Sequence, residues 1–341
     1  MPRDVQRPSA RDVWPSLLAL RRFLTNAPAD RLEEVALASF GGAGPSWELV
    51  TDGELSTATQ VLRVPLGEGT AGGETATYDH ARFVEGEDPI VDPTGSLEPS
   101  SSAVLRMYLP ILVGGHRARL AGDVFVLAHI AQTLDGRIAC RNGHSQWISN
   151  EANLHHAHRL RALHDAVLVG GGTVLSDDPQ LTVRHVEGED PHRVVLSANA
   201  TFLQADRDFH VYGGTGCSVL CSERTASEVA RNGRHQRVEL VPVPGDGDGR
   251  IAPATVRSAL AARGLHSVFV EGGGGTLSSF LEGSALDLLQ VHIAPVVLGS
   301  GISAFRLPEV ETIQDGRRMH METFALEGEV LLELRERRGA R

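Results

Sequence analysis

Lysine is absent from this 341-residue chain, so all 32 of its basic residues are arginines. The absence excludes the phosphate-loop nucleotidases, the protein kinases and the enzymes that form a Schiff base on lysine, because each of these classes needs that residue. Any bound anion must therefore be held by arginine, by backbone N–H groups or by the N-terminus of a helix.

Cysteine is scarce, and long apolar runs and net positive charge are missing. Three cysteines, Cys140, Cys217 and Cys221, are too few for a disulfide framework. No apolar run reaches the ~18–20 residues of a membrane helix, and the first residues lack the apolar stretch of a signal peptide. The net charge of −11 leaves no basic footprint for nucleic acid. We therefore expect a cytoplasmic protein that binds neither nucleic acid nor membranes.

The pattern of the chain changes near residue 120. Residues 1–120 carry helical patterns over 10–26 and 101–113 and two strand-like runs within 47–64. Residues 66–100 are rich in Gly, Pro, Ser and acidic residues, which is typical of a long loop or a flexible linker. Because no chemical motif stands out, we interpret residues 1–120 as an N-terminal extension of unknown role, such as a packing or dimer-forming appendage.

Residues 121–338 alternate short apolar runs with helical patterns. The runs are rich in Val, Ile and Leu, as in strands buried on both faces, and they cover residues 124–131, 166–169, 194–196, 218–220, 238–243, 268–270 and 291–298. The helical patterns cover 150–164, 223–232, 253–263 and 276–283. Glu327 and Gly328 separate two further strand-like runs. This alternation predicts an α/β three-layer sandwich with a mixed, mostly parallel central sheet and a C-terminal antiparallel hairpin.

Two glycine-rich turns follow two of the predicted strands. One is Gly170-Gly171-Gly172-Thr173, and the other is residues 272–275, after which a helix begins near Thr276. Glycine lets a ligand approach the backbone, and a helix start adds unpaired N–H groups that suit a pyrophosphate. Neither turn spells a standard nucleotide motif. The turns indicate a site for a phosphorylated small molecule or a dinucleotide, and two ligand-free tight turns remain the alternative.

Two arginines extend this hypothesis. Leu154, His158 and Arg161 share one helix face, so Arg161 points partly inward and needs an anionic partner. Arg184 follows the first glycine turn, and the two guanidinium groups could clamp a phosphate, although each could instead be a solvated surface arginine. The nearby histidines lack further ligands at metal-binding spacing, so we predict no metal and expect a solvated helix face; they are His155, His156, His158 and His164.

Five segments together resemble the reductase of riboflavin biosynthesis, which forms the C-terminal domain of the bacterial bifunctional deaminase/reductase. The resemblance covers about residues 122–336. Its motifs are AQTLDGRIA (131–139), GHSQWIS (143–149), HRLRALHDAVLVGGGTVLSDDPQLTVR (158–184), VEGGGGTL (270–277) and APVVLGSG (294–301). The resemblance implies a dihydrofolate-reductase-like fold, a homodimer and NADPH as hydride donor. It also implies the substrate, a 5-phosphoribosylaminopyrimidine such as 5-amino-6-(5-phosphoribosylamino)uracil, whose ribosyl group is reduced to ribityl.

The resemblance further implies the residues of the site. The residues that fall where the family holds the ribose phosphate and the pyrimidine are Ser145, Arg161, Leu181, Arg184 and Glu271. The residues that fall at the NADPH site are Ala131, Trp147, Gly171, Gly172, Thr173, Asp177, Gly273, Gly274, Gly275, Thr276 and Leu277.

Hydride transfer to C1′ of the ring-opened sugar needs a proton at the adjacent heteroatom. Asp177 and Asp135 are the carboxyl candidates for catalysis. The alternative for Asp135 is a turn residue that accepts backbone N–H groups. Water or the substrate's own groups could also supply the proton.

Two departures from the family bear on the substrate. The chain lacks the P-C-x-x-C motif of zinc deaminases, because Cys217 and Cys221 are spaced C-x-x-x-C, and we predict no deaminase activity. His129 stands where many members carry a lysine that could steady the substrate. Two alternatives therefore stay open beside the riboflavin reductase: a reductase of another imine, pterin or aldehyde in secondary metabolism, and a non-catalytic NADP-binding or assembly protein.

Overall fold

The computed structural model describes residues 13–26, 99–146, 148–214, 216–232, 237–245 and 250–336, together with the six short strands within 34–91. The chain divides into two compact units, Met1–Ala121 and Gly122–Arg341. Within the described ranges, none of the helices combines the length and the apolar character of a membrane span.

The described part of the first unit contains two helices and two small antiparallel sheets. The helices are α1 (Trp14–Asn26) and α2 (Pro99–Ala121). The strands are β1 (Glu34–Ser39), β2 (Trp47–Val50), β3 (Gln60–Pro65), β4 (Thr77–Tyr78), β5 (Ala81–Arg82) and β6 (Ile90–Val91). They pair in the orders β2-β1-β3 and β4-β5-β6. The predicted linker 66–100 thus holds three two-residue strands and the start of α2, and its other residues lie outside the described part of the chain.

Helix α2 is longer than the predicted segment 101–113. It continues to Ala121 and accommodates Pro110 in its interior. Buried apolar side chains, among them Leu105, Leu109 and Val113, lie on both sides of this proline. Packing against α1, where the rings of Trp14 and Tyr108 meet edge to face at 5.8 Å, offsets the hydrogen bond that proline removes from a helix.

The second unit is built on a nine-stranded sheet. The strands of this unit are β7 (Phe125–Thr133), β8 (Arg137–Cys140), β9 (Ala166–Gly170), β10 (His192–Leu196), β11 (Cys217–Ser222), β12 (Glu239–Val243), β13 (Ser267–Glu271), β14 (Leu288–Ala294), β15 (Gly301–Ser303), β16 (Met319–Leu326) and β17 (Glu329–Glu336). The sheet order is β12-β11-β10-β9-β13-β7-β14-β17-β16, and β8 pairs separately with β15. The helices are α3 (Glu151–Leu163), α4 (Gly171–Asp177), α5 (Glu223–Arg231), α6 (Pro253–Ala261) and α7 (Gly274–Glu282).

The predicted sandwich and hairpin are confirmed. In the sheet order, every pair of neighbouring strands from β12 at the edge to β14 is parallel. The last two pairs, β14 with β17 and β17 with β16, are antiparallel. Val268 and Val270 of β13 join the core that includes α6 and α7, whereas Phe269 packs beside His164 at the end of α3 on the opposite face. The hairpin turn is tight because Glu327 and Gly328 both have positive φ, +49° and +89°.

In the second unit, three features differ from the sequence-based expectation. The strand expected over 291–298 ends at Ala294, because Pro295 cannot donate to a sheet ladder. The short pair β8 and β15 and the helix α4 were not predicted. Helix α4 opens with Gly171 and Gly172, and glycine has low helix propensity, so the sequence indicates only a turn there.

Candidate functional site

The two glycine turns lie side by side, because β9 and β13 are neighbours in the sheet and both turns follow their carboxyl ends. The Gly273 amide donates to Thr173 Oγ1 at 3.2 Å and joins the turns directly. Residues 170–173 and 272–275 together are called the cofactor turns below. Ligands of open α/β sheets bind at this edge, and both glycine turns lie there.

The glycines of the cofactor turns differ in the space beside them. A Cβ at Gly170 would lie 2.5 Å from Thr276 Oγ1, and a Cβ at Gly274 would lie 2.5 Å from the Ala304 carbonyl oxygen. The fold itself requires those glycines. At Gly172 and Gly275 a Cβ would meet no atom within 4 Å. Open space beside these two positions leaves room for a ligand against the backbone.

Helix α7 starts inside the second cofactor turn without a side-chain cap. Its N-cap is Gly273, which has no side chain that could accept from the first N–H groups of the helix. A cleft of about 360 Å³ adjoins this helix. Its lining includes the apolar residues Leu196 and Ile251 and two exposed arginines, Arg250 and Arg306. The remaining lining residues are Ala198, Gly275, Thr276, Ser278, Ser279 and Glu282.

Arg161 and Glu271 form a bidentate ion pair next to the second cofactor turn. Arg161 Nε donates to Glu271 Oε2 at 2.7 Å, and Nη2 donates to Oε1 at 2.5 Å. Burial opposes the charge on Arg161, but the Glu271 carboxylate outweighs burial and raises the pKa of the guanidinium. The anionic partner that the inward position of Arg161 required is therefore Glu271, the last residue of β13.

The segment of residues 180–184 completes this side of the site. Leu181 is buried and has φ +56°, a left-handed conformation that a side chain disfavours. Arg184 is exposed, and its Nη1 donates to Thr182 Oγ1 at 3.0 Å. Arg161 Nη1 donates to the Thr182 carbonyl oxygen at 2.8 Å. The ion pair and this segment are therefore in direct contact, and together they are called the substrate side.

The other predicted site residues are more scattered. Ser145 is exposed in a loop, and Asp177 is exposed at the end of α4. Ala131 is half-buried on β7, whereas Leu277 is buried in α7 and packs in the core. Trp147 lies outside the described residues.

Asp135 holds a turn. Its carboxylate accepts hydrogen bonds from Thr133 Oγ1 at 2.5 Å and from the amides of Leu298 and Gly299 at 3.2 and 2.6 Å. The Thr133 hydroxyl, followed by these amides, keeps the pKa of the carboxyl below its ordinary value. The bonds join the turn after β7 to the loop after β14, so the geometry favours the turn-residue alternative for Asp135.

Four polar residues on neighbouring strands lie in register with one another and form a row that begins at Glu271. The register pairs Glu271 with His129, His129 with Gln290, and Gln290 with Glu333. Gln290 Nε2 donates to Glu333 Oε2 at 3.0 Å, and Gln290 Oε1 lies 2.8 Å from Nε2 of His156. The row extends the substrate side into the buried interface beneath α3.

The expectation of a solvated histidine face is wrong. His156, His158 and His164 are fully buried, and only His155 is half-buried. The rings of His129 and His156 meet edge to face at 5.2 Å. Burial holds the pKa of His129 well below its ordinary value and lowers that of His156 to about 3, so both rings are neutral. The polar row gives His156 a partner, Gln290, that only the strand register reveals.

No group of three or more His, Cys, Asp or Glu side chains in the described ranges is arranged to hold a metal ion.

Comparison with known proteins points to one family. The model of the RibD C-terminal domain matches residues 124–327. The chain is 34% identical over 194 residues to the 2,5-diamino-6-ribosylamino-4(3H)-pyrimidinone 5′-phosphate reductase of Methanothermobacter thermautotrophicus, covering 56% of this chain and 86% of that protein. It is 33% identical over 196 residues to the riboflavin biosynthesis protein RibD of Corynebacterium ammoniagenes, covering 55% and 48%.

Solved structures agree with this likeness. A diaminohydroxyphosphoribosylaminopyrimidine deaminase/5-amino-6-(5-phosphoribosylamino)uracil reductase of Thermotoga maritima matches with a TM-score of 0.56 and 27% identity, over 69% of this chain and 63% of that one. The riboflavin biosynthesis reductase Rib7 of Saccharomyces cerevisiae shares the fold, with a TM-score of 0.51 and 22% identity, over 63% and 91%. The chain spans about half the length of the curated RibD proteins it matches.

Proposed function

The chain belongs to the RibD C-terminal domain family, and on that premise we propose that its second unit is an NADPH-dependent reductase of riboflavin biosynthesis. The substrate is a 5-phosphoribosylaminopyrimidine, whose ribosyl group becomes ribityl. One observation carries the proposal. Glu271 binds Arg161 and is followed at once by the second cofactor turn, so one strand end carries both a side chain for the substrate and the backbone for the cofactor.

The cofactor turns suit a dinucleotide. The open positions at Gly172 and Gly275 and the uncapped start of α7 offer N–H groups and space to a pyrophosphate. When bound, NADPH supplies the hydride that reduces C1′. The chain's own contribution is to hold the two reactants at the same sheet edge.

The cleft beside α7 supports NADPH over NADH, because Arg250 and Arg306 in its lining suit the phosphate that distinguishes the two cofactors. We expect R250A and R306A each to weaken NADPH binding by about tenfold, since a hydrogen bond to a charged group is worth roughly that much. NADH binding should not change. Titration calorimetry measures both affinities, and R224A, in an exposed helical ion pair, is the control. Equal losses for NADPH and NADH would contradict the preference.

The substrate side suits a phosphorylated ribosylamine. Arg184 presents an exposed guanidinium to a phosphate, and the Arg161–Glu271 pair offers a carboxylate to sugar hydroxyl or pyrimidine N–H groups. Among the described residues, Asp177 is the candidate carboxylate without backbone hydrogen bonds, so it is the better placed of the two to hold or deliver a proton. Neutral His129 lies beside Glu271 in the register and adds no positive charge there, so Arg161 balances the charge of that carboxylate.

The test is NADPH oxidation, followed by absorbance, with the full chain and each of the two phosphoribosylaminopyrimidines, amino and deaminated. We expect turnover of at least one, with ribityl product. Tight NADPH binding without turnover of either would contradict the substrate and favour a reductase of another imine, pterin or aldehyde. Failure to bind NADPH would remove the reductase proposal altogether.

Two further properties belong to the same proposal. The family resemblance supports a homodimer, and the missing P-C-x-x-C motif supports reduction without deamination. Light scattering of the purified chain tests the dimer. Incubation of the amino pyrimidine without NADPH tests deamination, and formation of the deaminated product would contradict this part of the proposal.

A further inference from the structure

Residues 180–184 are held at four backbone positions by four side chains from outside the segment. Arg193 Nε donates to the Gln180 carbonyl oxygen at 2.9 Å, and Arg161 Nη1 donates to that of Thr182 at 2.8 Å. The Val183 amide donates to Asp190 Oδ1 at 2.7 Å, and the Arg184 amide donates to His158 Nδ1 at 3.1 Å. The remaining residue of the segment, Leu181, is the one with φ +56°.

Two of the holding side chains lie deeper than the side chain at the end of the segment. His158 is fully buried and Arg193 is 2% exposed, whereas Arg184 at the end of the segment is exposed. A left-handed leucine is disfavoured in a free chain, so its surroundings must impose that conformation. The four hydrogen bonds on either side of Leu181 are the interactions that impose it. The conformation in turn fixes where the Arg184 guanidinium emerges.

We propose that His158, Asp190 and Arg193 are positioning residues, which hold residues 180–184 so that Arg184 meets the phosphate of the substrate. This inference rests on the proposed function, because it takes Arg184 as a phosphate ligand. None of the three touches the substrate. They act on substrate affinity through the backbone, and the hydride-transfer step is not theirs.

His158 suits this task because its ring stays neutral. Burial, then the charges of Arg161 and Arg184, lower its pKa to about 3, so Nδ1 keeps its lone pair for the Arg184 amide. The acceptor role places the ring proton on Nε2. In that tautomer the 3.4 Å approach of Arg161 Nη1 to Nε2 is a contact between two donors and stabilises nothing.

The test compares His158→Leu, which removes the acceptor at similar volume, with His158→Asn, whose Oδ1 lies near the position of Nδ1. For the Leu variant we expect KM for the phosphorylated pyrimidine to rise about tenfold, the value of one lost hydrogen bond to a charged or buried group. The kcat and the NADPH affinity should stay within about twofold of wild type, because neither depends on the segment. The Asn variant should restore KM. His155→Leu, on the same helix, is the matched control.

Amide hydrogen exchange supplies a readout that needs no turnover. The amides of Val183 and Arg184 should exchange faster in the Leu variant and at the wild-type rate in the Asn variant. Unchanged exchange and KM in a folded Leu variant would overturn the inference, as would an equal loss of NADPH affinity. If the Leu variant does not fold, Asp190→Ala against Asp190→Asn gives the same comparison. If wild type reduces neither pyrimidine, the proposed function fails, and exchange alone decides whether these residues hold the segment.

Discussion

The cofactor turns and the substrate side lie next to each other but are built differently. The cofactor turns are backbone: their glycines either pack against neighbouring atoms or leave open space, and the adjoining helix start has no side-chain cap. The substrate side consists of charged side chains that are paired with each other and with the backbone, above all Arg161 with Glu271. An added side-chain atom should therefore impair NADPH binding at the cofactor turns. Removal of a charged side chain should impair substrate binding at the substrate side.

The largest expected effect comes from an added methyl in the cofactor turns. Gly274→Ala places a Cβ 2.5 Å from the Ala304 carbonyl oxygen, so the fold must shift, and we expect a loss of several kcal/mol of unfolding free energy together with NADPH binding. Gly275→Ala meets no protein atom and lies in a helix, so stability should rise by about 0.5–1 kcal/mol. Its NADPH affinity should nevertheless fall at least tenfold.

Urea unfolding and calorimetric titration of the two variants measure these effects side by side. If Gly275→Ala binds NADPH as wild type does, the open space at this glycine is not part of the cofactor site. If Gly274→Ala is as stable as wild type, close packing does not explain the glycine there.

The next effect concerns a removed charge. Arg184→Ala should raise KM for the phosphorylated pyrimidine by about a hundredfold, because a charge-assisted phosphate contact is worth roughly 1.5–3 kcal/mol. Stability should not change, since the side chain is exposed. The dephosphorylated ribosylaminopyrimidine separates the roles: its KM should be the same in variant and wild type. A loss that is equal for both compounds would contradict phosphate binding by Arg184.

Acidification should lower the free energy of unfolding by a smaller amount. The loss comes from the buried histidines on one face of the sheet. His156 has a lowered pKa of about 3 in the fold, while a histidine of the unfolded chain titrates near 6.5. The unfolded chain therefore takes up protons first, and stability is full above about pH 7.5 and is lost progressively from about pH 6.5 towards pH 3. We expect about 2 kcal/mol of loss from this residue between pH 7.5 and 5.

Urea unfolding at several pH values measures this slope, and His156→Gln, which does not titrate, should flatten it. His129 titrates in the same direction and should steepen it. The cofactor turns carry no histidine. A stability that does not change between these pH values would mean that the rings are not neutral in the fold.

Much of the fold was accessible from the sequence because its signals are local. Runs such as Val167–Val169 and Val268–Val270 are apolar on both faces, and Glu327-Gly328 permits a turn with two positive φ angles. The adjacency of the two glycine turns also follows once their strands neighbour each other. The sequence does not predict helix α4, because its first residues are poor helix formers. Close packing of Gly171 against Ser197 holds this helix start in place.

The substrate side was less accessible because its partners are distant in sequence. Arg161 was predicted to need an anion, but Glu271 lies 110 positions away, and only the sheet brings the two together. The histidines of α3 look solvated because the sequence shows no partners for them. Gln290, the partner of His156, comes from a strand register that no local pattern reveals. Whether a polar residue is buried depends on such contacts between residues that are distant in sequence. Local periodicity does not predict these contacts.

The smallest expected effect is at Asp135, and it sharpens the comparison because this carboxylate belongs to neither region. Its bonds to Thr133 and to the amides of Leu298 and Gly299 make it a turn residue. Asp135→Asn keeps one acceptor and loses the other, so we expect a slightly lower Tm and a kcat within about twofold of wild type.

Asp177→Asn should lower kcat by about a hundredfold if that exposed carboxylate delivers the proton, in line with general acid catalysis. Single-turnover rates of both variants over a pH series make the distinction. A hundredfold loss at Asp135 with an unaltered Asp177 variant would reverse the assignment, whereas two unaltered variants would leave water or the substrate itself as the proton source.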